Sequence, residues 1–308
     1  MTQSGPARDV EGLIFDLDTF AIHDGPGIRL AVYLKGCQLG CKWCHSPESI
    51  SARPELILVR DRCLRCGQCV DVCPQEAHYT GEGRHTIDRQ RCRVCGLCVE
   101  HCPSGALAIK GSIVTAREIV ARATRMRPFF EHSGGGVTLT GGEVTCQVDF
   151  AEAVLRGCRE QQIHTAIETN GASPWGQIER LLPHCDLILY DIKLMNEDEH
   201  LRWTSASNRI ILENARRLAE HDVSTQVRVP LIPGITDTEE NLRGIFSFMR
   251  EAGLGSASLL PYNPSTAAKY EWLDLDFNIE AEPQSRAHLQ AILRLAREAG
   301  LHVVVDRP

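Results

Sequence analysis

Short apolar runs alternate with longer runs that are apolar at helical spacing through most of the chain. Strands that alternate with helices of 10–15 residues are typical of βαβ units, which form a parallel sheet with right-handed crossovers. The predicted strands are Ile28–Leu34, Val137–Leu139, Ile163–Ile167, Leu187–Ile192, Ser224–Leu231, Ser256–Leu260 and Leu301–Val305. The predicted helices are Phe150–Gln161, Trp175–Leu182, Arg209–His221, Glu239–Ala252 and Ser285–Ala299.

The pattern contains about six βα units, fewer than the eight of a closed barrel. It therefore predicts an α/β fold, either a partial barrel or an open sheet. In both architectures functional residues gather at the carboxyl ends of the strands. We expect chemistry-bearing side chains just after the strands listed above.

The alternation is interrupted by a stretch rich in Cys, Arg and Gly, which we delimit as residues 53–112. The stretch contains an internal repeat: Cys63-x2-Cys66-x2-Cys69-x3-Cys73-Pro74 recurs as Cys92-x2-Cys95-x2-Cys98-x3-Cys102-Pro103. The repeat predicts a small domain inserted between residues 1–52 and residues 113–308, which together form the α/β part.

The cysteine content is the most informative feature of the composition, because 14 of the 308 residues are Cys and 11 of these lie from Cys37 to Cys102. Met1–Val10 is polar and lacks the apolar segment of a secretory signal, and no apolar run reaches the ~18 residues of a membrane span. We therefore expect a cytoplasmic protein, with no membrane partner, whose cysteines bind metal rather than form disulfides. The isolated Cys146, Cys158 and Cys185 are expected to be small buried apolar residues.

The net charge of −7 disfavours general nucleic-acid binding, so no nucleic-acid partner is expected. The 12 histidines indicate no site of their own. His45 follows a cysteine of the first cluster of cysteines, but we interpret it as a neighbour and not as a ligand.

The run C-x2-C-x2-C-x3-C-P is a signature of bacterial ferredoxins, in which the fourth cysteine of each run ligates the other of two clusters. Paired C-x2-C units also bind zinc, but each run here supplies four cysteines followed by proline, which favours iron–sulfur clusters. Gly67 and Gly96 are expected where the backbone bends closely around sulfide. The predicted ligand sets are Cys63, Cys66, Cys69 and Cys102 for one cluster, and Cys73, Cys92, Cys95 and Cys98 for the other.

A separate motif, Cys37-x3-Cys41-x2-Cys44, follows the first predicted strand. Three cysteines can hold three irons of a [4Fe–4S] cluster and leave the fourth iron open. An open coordination position distinguishes a catalytic metal site from a closed structural one. The motif thus predicts a catalytic cluster at the carboxyl end of that strand.

This motif resembles the cluster-binding motif of radical S-adenosylmethionine (SAM) enzymes. The preceding Asp24-Gly25-Pro26-Gly27-Ile28-Arg29 and the lead-in Lys35-Gly36 are similar to the activating enzymes of glycyl radical enzymes, in the subgroup with a doubled ferredoxin insertion. The resemblance covers about residues 12 to 305. It implies a partial (β/α)6 barrel of the radical SAM type with an inserted small α+β ferredoxin-like domain.

The resemblance also implies which residues bind SAM. Thr140-Gly141-Gly142-Glu143 resembles a motif that meets the SAM amino group, and in Asp191-x-Lys193 the lysine faces the SAM carboxylate. Glu168-Thr169-Asn170-Gly171 resembles a D-T-N-G motif with Glu in place of Asp. Glu168, Thr169 and Asp191 are implied as a possible monovalent-cation site near that carboxylate.

Two later strand ends complete the implied site. Val227-Arg228-Val229-Pro230 and Leu259-Leu260-Pro261-Tyr262 resemble motifs beside SAM, and Asn263 stands where a histidine often follows. Arg228 has the alternative of a purely structural role in the sheet. Asp24 is implied as a contact to the glycine loop of the partner enzyme.

The implied activity is reductive cleavage of SAM to methionine and a 5′-deoxyadenosyl radical, which takes a hydrogen atom from a backbone glycine of a glycyl radical enzyme. The implied cofactors are three [4Fe–4S] clusters, SAM and a monovalent cation, with a flavodoxin or ferredoxin-type electron donor. The inserted clusters either relay electrons or act as a scaffold. Two other hypotheses stay open at this point: a radical SAM enzyme acting on a small molecule or peptide, and a non-enzymatic electron carrier.

Overall fold

Seven parallel strands form most of a nine-stranded sheet in the computed structural model, which describes residues 9–81 and 84–306. The strands are β1 (Glu11–Ala21), β2 (Arg29–Leu34), β3 (Glu55–Leu58), β4 (His78–Gly81), β5 (Arg84–Ile87), β6 (Leu107–Lys110), β7 (Ser112–Thr115), β8 (Gly136–Gly141), β9 (Thr165–Thr169), β10 (Leu187–Asp191), β11 (Ser224–Pro230), β12 (Ser256–Leu260) and β13 (His302–Val305). The order in the large sheet is β13-β12-β11-β10-β9-β8-β2-β1-β7. The seven predicted strands correspond to β2 and to β8 through β13.

Each of the five helices predicted from the apolar spacing is present, with ends that differ by at most two residues, and the described residues form six further helices that were not predicted. The helices are α1 (Gln68–Asp71), α2 (Leu97–Glu100), α3 (Ala116–Arg125), α4 (Arg127–Ser133), α5 (Val148–Glu160), α6 (Trp175–Leu181), α7 (Glu197–Thr204), α8 (Arg209–Ala219), α9 (Glu239–Ala252), α10 (Thr266–Trp272) and α11 (Arg286–Glu298). Helix α9 has the predicted bounds because Thr238 caps its first turn and Gly253 ends it in the left-handed conformation. The α/β fold class of the sequence analysis is confirmed.

Two strands of the large sheet were not predicted. Strand β1 pairs antiparallel with β2 on one side and with β7 on the other. Its sequence mixes acidic residues with apolar ones, so it lacks the continuous apolar run of the parallel strands. The two strands extend the sheet beyond β2, and within the described residues the end strands β7 and β13 do not pair with each other.

The hydrophobic core lies between the parallel strands and the helices. Leu139, Ile167, Val227 and Leu259 contribute from the strands, and Phe246 from α9, all with at most 1% of their surface exposed. Burial of this kind stabilises the fold by about 1.5–3 kcal/mol for each large apolar side chain. The packing fixes the strand ends at which the candidate site residues lie.

The cysteine-rich region forms two small antiparallel sheets, β3 with β6 and β4 with β5, and the short helices α1 and α2. Each helix follows a glycine in the left-handed region, Gly67 with φ 82° and Gly96 with φ 88°. The preceding turns repeat the pattern, since Arg65 and Val94 also have positive φ. The two halves are thus alike in backbone as well as in sequence.

The expectation for the isolated cysteines holds at Cys158 and Cys185, which are buried, and is wrong at Cys146. Cys146 lies in the 3-10 turn Val144–Gln147 after β8 and is exposed, because this turn buries Val144 and Thr145 instead. Its thiol donates to Gln38 Oε1 at 3.2 Å. Among the described residues, no helix has the length and apolar character required to cross a bilayer.

Candidate active site and cluster sites

The three-cysteine loop begins where β2 ends, and its backbone is held from two sides. Cys37 N donates to Ile50 O, while Gly40 N and Lys42 N donate to carbonyl oxygens at the end of α7, with N···O distances of 2.8–3.1 Å. A loop whose amides are satisfied by other elements keeps its side chains in place. The three thiols are therefore presented together at the carboxyl end of the sheet.

The loop fits a metal cluster. Burial raises the pKa of the Cys37, Cys41 and Cys44 thiols, to about 12 at Cys41, and neighbouring cysteines raise it further at Cys37 and Cys41. Thiolates in such a place need cationic partners, and metal binding deprotonates coordinating thiols. Asn170 Nδ2 also donates to Cys37 Sγ at 3.5 Å.

Gly141 and Gly142 bring the backbone of β8 close to the cysteine loop. Gly141 has φ 106°, and a Cβ at either position would collide with the backbone of Leu34 or Gly36. Neither position accepts a side chain, because the backbone of β8 and the start of the cysteine loop lie in direct contact there.

Glu143 is fully engaged inside the protein. Its carboxylate accepts hydrogen bonds from Thr145 N and Oγ1, Thr169 Oγ1 and Asn170 N at 2.7–3.1 Å. Burial raises the pKa of this carboxyl, while the four donors lower it. The side chain thus connects the ends of β8 and β9.

A second group of charges lies at the ends of β9, β10 and β11. Arg228 Nη1 is 3.3 Å from Glu168 Oε1, and Lys193 Nζ donates to Asp191 Oδ2 at 2.6 Å. Burial lowers the pKa of Lys193, but Asp191 and Cys41 more than offset this and raise it above its ordinary value. Lys193 is therefore a positive charge next to the cysteine loop.

Two buried polar atoms in this group have no hydrogen-bond partner among residues 9–81 and 84–306: Asp191 Oδ1 and Arg228 Nε. Buried polar groups in native proteins are nearly always hydrogen-bonded, to protein, water or ligand. One is an acceptor and the other a donor. The site therefore has open capacity for a ligand that carries groups of both kinds.

Asp24, by contrast, lies before β2, in the loop that enters the strand. Its Oδ2 accepts from Tyr33 at 3.1 Å, and burial raises its pKa although Arg228 and the Tyr33 hydrogen bond lower it. Because the charge of Arg228 affects the pKa of Asp24, Asp24 lies near the charges at the strand ends.

Asn263 lies farther along the same edge, where its side chain begins a turn. Asn263 Oδ1 accepts from Ser265 N at 3.0 Å, just before α10. Helix α10 then contacts the cysteine loop, because Tyr270 donates to Cys41 O and Lys269 to His45 O. Asn263 is thus held by the same segment that supports the loop.

The eight cysteines of the ferredoxin-like region surround two cavities. Cys63, Cys66, Cys69 and Cys102 line one of them, and Cys73, Cys92, Cys95 and Cys98 line the other. Each cavity therefore takes three cysteines from one repeat and one from the other. Backbone donors point at sulfur, as at Ala77 N to Cys73 Sγ, 3.3 Å, which suits thiolates bound to iron.

Comparison with known proteins places this geometry in a family. The family model described as "Radical SAM superfamily" matches residues 89–244, and the model "4Fe-4S dicluster domain" matches residues 62–106. The trans-4-hydroxy-L-proline dehydratase activating enzyme of Clostridioides difficile is 42% identical over 287 residues, 92% of this chain and 95% of the relative. The choline trimethylamine-lyase activating enzyme of Oleidesulfovibrio alaskensis is 37% identical over 96% of this chain and 98% of the relative.

The chain belongs to the radical SAM activating enzymes of glycyl radical enzymes. Its activity is the reductive cleavage of SAM coupled to formation of a glycyl radical on a partner enzyme. This decides against the small-molecule and electron-carrier hypotheses. As an activating enzyme it uses SAM and iron–sulfur clusters. A radical SAM methyltransferase from Sphaerobacter thermophilus, 15% identical with a TM-score of 0.54 over 90% of this chain and 66% of that one, shares the fold.

The structure of this activating enzyme also shows contacts that the sequence analysis missed. Asn170 reaches the sulfur of Cys37, and a pair of histidines, His78 and His85, lies among the cysteines of the ferredoxin-like region. Asn170 is polar and lies three residues after the predicted strand Ile163–Ile167, in the Glu168–Gly171 motif, which was a usable signal. The histidines carried none, because their proximity depends on the pairing of β4 with β5.

Proposed function

We propose that this activating enzyme holds three [4Fe–4S] clusters. Cys37, Cys41 and Cys44 hold one, and the two cavities of the ferredoxin-like region hold the others with the crossed ligand sets of the sequence analysis. When bound, the clusters supply the electron that cleaves SAM and a path by which it arrives. The support is the grouping of 11 cysteines into one half-buried loop and two cavities of four.

SAM binds across the strand ends in this proposal. The backbone at Gly141 and Gly142 receives the amino group, and Lys193 and Arg228 receive the carboxylate, with Asn263 at the edge of the site. Glu143 acts by holding the glycine turn against β9. The observation that carries this assignment is the pair of buried, unpartnered atoms, Asp191 Oδ1 and Arg228 Nε, beside the cysteine loop.

A monovalent cation binds near the SAM carboxylate, between Glu168, Thr169 and Asp191. Carboxylates outnumber the cations here, since Arg228 is near Glu168, Asp191, Asp24 and Asp306. Thr169 Oγ1 donates to Glu143 and accepts from Gly171 N, so its remaining lone pair is the one that would reach the ion. Hard cations favour oxygen ligands of this kind.

The partner glycine enters from the open side of the sheet, and Asp24 contacts its loop. Electrons come from a flavodoxin or ferredoxin-type protein in the cytoplasm and pass through the inserted clusters. The relatives are named for partners that include dehydratases, lyases and a decarboxylase at 33–42% identity. The proposal therefore specifies a glycyl radical enzyme as the partner, and not the reaction which that partner catalyses.

The test of the SAM site is the Lys193→Met variant, assayed for 5′-deoxyadenosine under anaerobic conditions with dithionite as the reductant. Loss of a charged hydrogen bond to the SAM carboxylate costs about 1.5–3 kcal/mol, so the KM for SAM should rise roughly tenfold to hundredfold. Lys42→Met is the matched control, because Lys42 belongs to the same loop but lies over the Trp203 ring, 5.3 Å from its centroid. An unchanged KM in Lys193→Met with full iron content would remove Lys193 from the site.

A further inference from the structure

Two histidines form a buried pair in the ferredoxin-like region. His78 on β4 and His85 on β5 are 3% and 5% exposed, and His78 Nδ1 is 2.9 Å from His85 Nε2. The family assignment and the proposed ligand sets give these side chains no role. A buried polar pair in such a small domain needs a reason, since burial of polar groups is costly unless they are well bonded.

The pair lies between the two cysteine cavities. His85 lines the cavity of Cys63, Cys66, Cys69 and Cys102, and His78 lines the other. His85 Nδ1 is 3.7 Å from Cys63 Sγ, and His85 Nε2 is 3.6 Å from Cys69 Sγ. One imidazole therefore contacts two proposed ligands of the same cluster.

In one tautomer of His85 both ring nitrogens have a hydrogen-bond partner. A thiolate bound to iron accepts hydrogen bonds and does not donate them, so a ring nitrogen bonded to sulfur must carry the hydrogen. If His85 Nδ1–H donates to Cys63 Sγ, then Nε2 is free to accept the Nδ1–H of His78 at 2.9 Å. His78 thereby fixes the tautomer and orientation of His85, as outer partners do for histidines near metals.

Comparison of the two repeats shows that the donor belongs to one cluster only. His78 follows Cys73 by five residues, and Leu107 follows Cys102 by five residues. In the strand pairing His78 lies opposite Ile87, and Leu107 lies opposite Leu58. Two residues before Ile87 the chain has His85, and two residues before Leu58 it has Leu56. Leu56 lines the second cavity, so an apolar side chain there occupies the position that His85 has at the first.

We propose that His85, oriented by His78, donates a hydrogen bond to the Cys63 thiolate and raises the reduction potential of that cluster above the potential of the other inserted cluster. Hydrogen bonds to sulfur stabilise the more negative, reduced state of a cluster and are a main determinant of its potential. His85 is thus a positioning residue, because it acts on the cluster through the ligand Cys63. The inference rests on the proposed assignment of Cys63, Cys66, Cys69 and Cys102 to one cluster.

The test is a redox titration, followed by EPR, of the anaerobically loaded full chain. The variant His85→Leu places at this position the residue type of Leu56 in the other half. In this variant the reduction potential of one inserted cluster should fall by ~59 mV, which corresponds to a tenfold shift of a one-electron equilibrium. His85→Gln keeps an N–H donor and should restore part of the shift. His78→Leu should lower the same potential by less, since the donor remains but loses its orientation.

The matched control is His101→Leu. His101 is exposed at the edge of the same cavity, and its Nδ1 lies 2.9 Å from Leu97 O instead of facing sulfur. Its potentials should equal those of the wild type. Iron content and the number of EPR signals in the wild type test the cluster assignment separately, so failure of that assignment is distinguishable from failure of this inference.

Reduction potentials are compared only among variants that keep the iron content of the wild type. If His85→Leu loses iron, the potential of His78→Leu decides the test. Potentials unchanged in those variants, or shifted equally in His101→Leu, would overturn the inference. The ring nitrogens and Cys69 Sγ lie within 4.8 Å of one another, close enough for a single metal ion. One zinc per chain, retained by the loaded protein and lost in His85→Leu, would therefore also overturn it.

Discussion

Gly171, directly after β9, has no space for a side chain. Its φ is 68°, and a Cβ would overlap the hydroxyl of Tyr190, which donates to Ile211 O at 2.6 Å. Gly171→Ala should therefore destabilise the protein by about 2 kcal/mol or more, from backbone strain and overpacking combined. A lower denaturant midpoint in the loaded protein would show this.

Gly176 is the matched control for that substitution. It is exposed in α6, nothing lies within 4 Å of a Cβ there, and Ala is a better helix former by about 1 kcal/mol. Gly176→Ala should leave the midpoint unchanged or raise it. Equal midpoints for the two variants would show that the turn at Gly171 accommodates a side chain.

At Asp24 the prediction concerns the partner enzyme. Asp24→Asn keeps the shape of the side chain and removes its charge, so SAM cleavage with dithionite should stay within about twofold while glycyl radical formation falls at least about tenfold, the effect of one charged hydrogen bond. Radical formation on the partner glycyl radical enzyme is read out by EPR. Asp18→Asn, an exposed carboxylate on β1, is the control, and equal radical yields for both variants would contradict the role of Asp24.

Single residues were predictable where chemistry demands a residue type at a fixed spacing. The cysteine motifs and Gly141-Gly142 are of this kind, because iron needs thiolates and the turn needs glycine. The hydrogen bonds from Thr169 and Asn170 to Glu143 were not predictable, since these donors lie at the end of a different strand, 26 and 27 residues away.

Among the elements, α10 and the residues after it connect the ferredoxin-like region with the cysteine loop. Asp274 pairs with Arg60 and with Arg89, the latter at 2.9 Å, and Arg89 Nη2 also donates to Trp272 O at 3.0 Å. Arg60 in turn donates to His85 O at 2.6 Å. One carboxylate thus holds two arginines of the inserted region against the α/β part.

Asp274→Asn should loosen this contact. Exposed ion pairs contribute about 0.2–1 kcal/mol each, so the expected effect is local opening and not global unfolding. Hydrogen exchange of the amides in β3 and α10 should become faster, while that of β9 and β10 stays unchanged. Asp276→Asn serves as the control, because Asp276 is exposed and has no ion pair among the described residues. Identical exchange in the two variants would contradict the role of Asp274.

Elements were predictable where their apolar pattern is continuous. The parallel strands are buried on both faces and appear as apolar runs, whereas β1 and the short strands of the inserted region are partly polar and were missed. Helix α10 has only seven residues, of which two are buried, so its pattern is too short to show a period.

For the whole molecule, the order of elements predicted the α/β architecture and the insertion, but not how the two parts contact each other. That contact depends on ion pairs such as Arg60 with Asp274, 214 residues apart, which no local pattern shows. The fold places the cysteine loop, the glycine turn and the charged strand ends at one edge, next to the region that holds the other eight cysteines. We therefore assign radical generation to this edge.

The most direct measurement is the yield of 5′-deoxyadenosine together with total iron, after anaerobic loading, reduction and addition of SAM, for the wild type, Cys41→Ala and Cys146→Ala. Three clusters predict about twelve irons per wild-type chain. Cys41→Ala should lose the product and about four irons. Cys146→Ala, an exposed cysteine beside the loop, should match the wild type in both. Product formation that survives in Cys41→Ala, or a fully loaded wild type that forms none, would contradict the account.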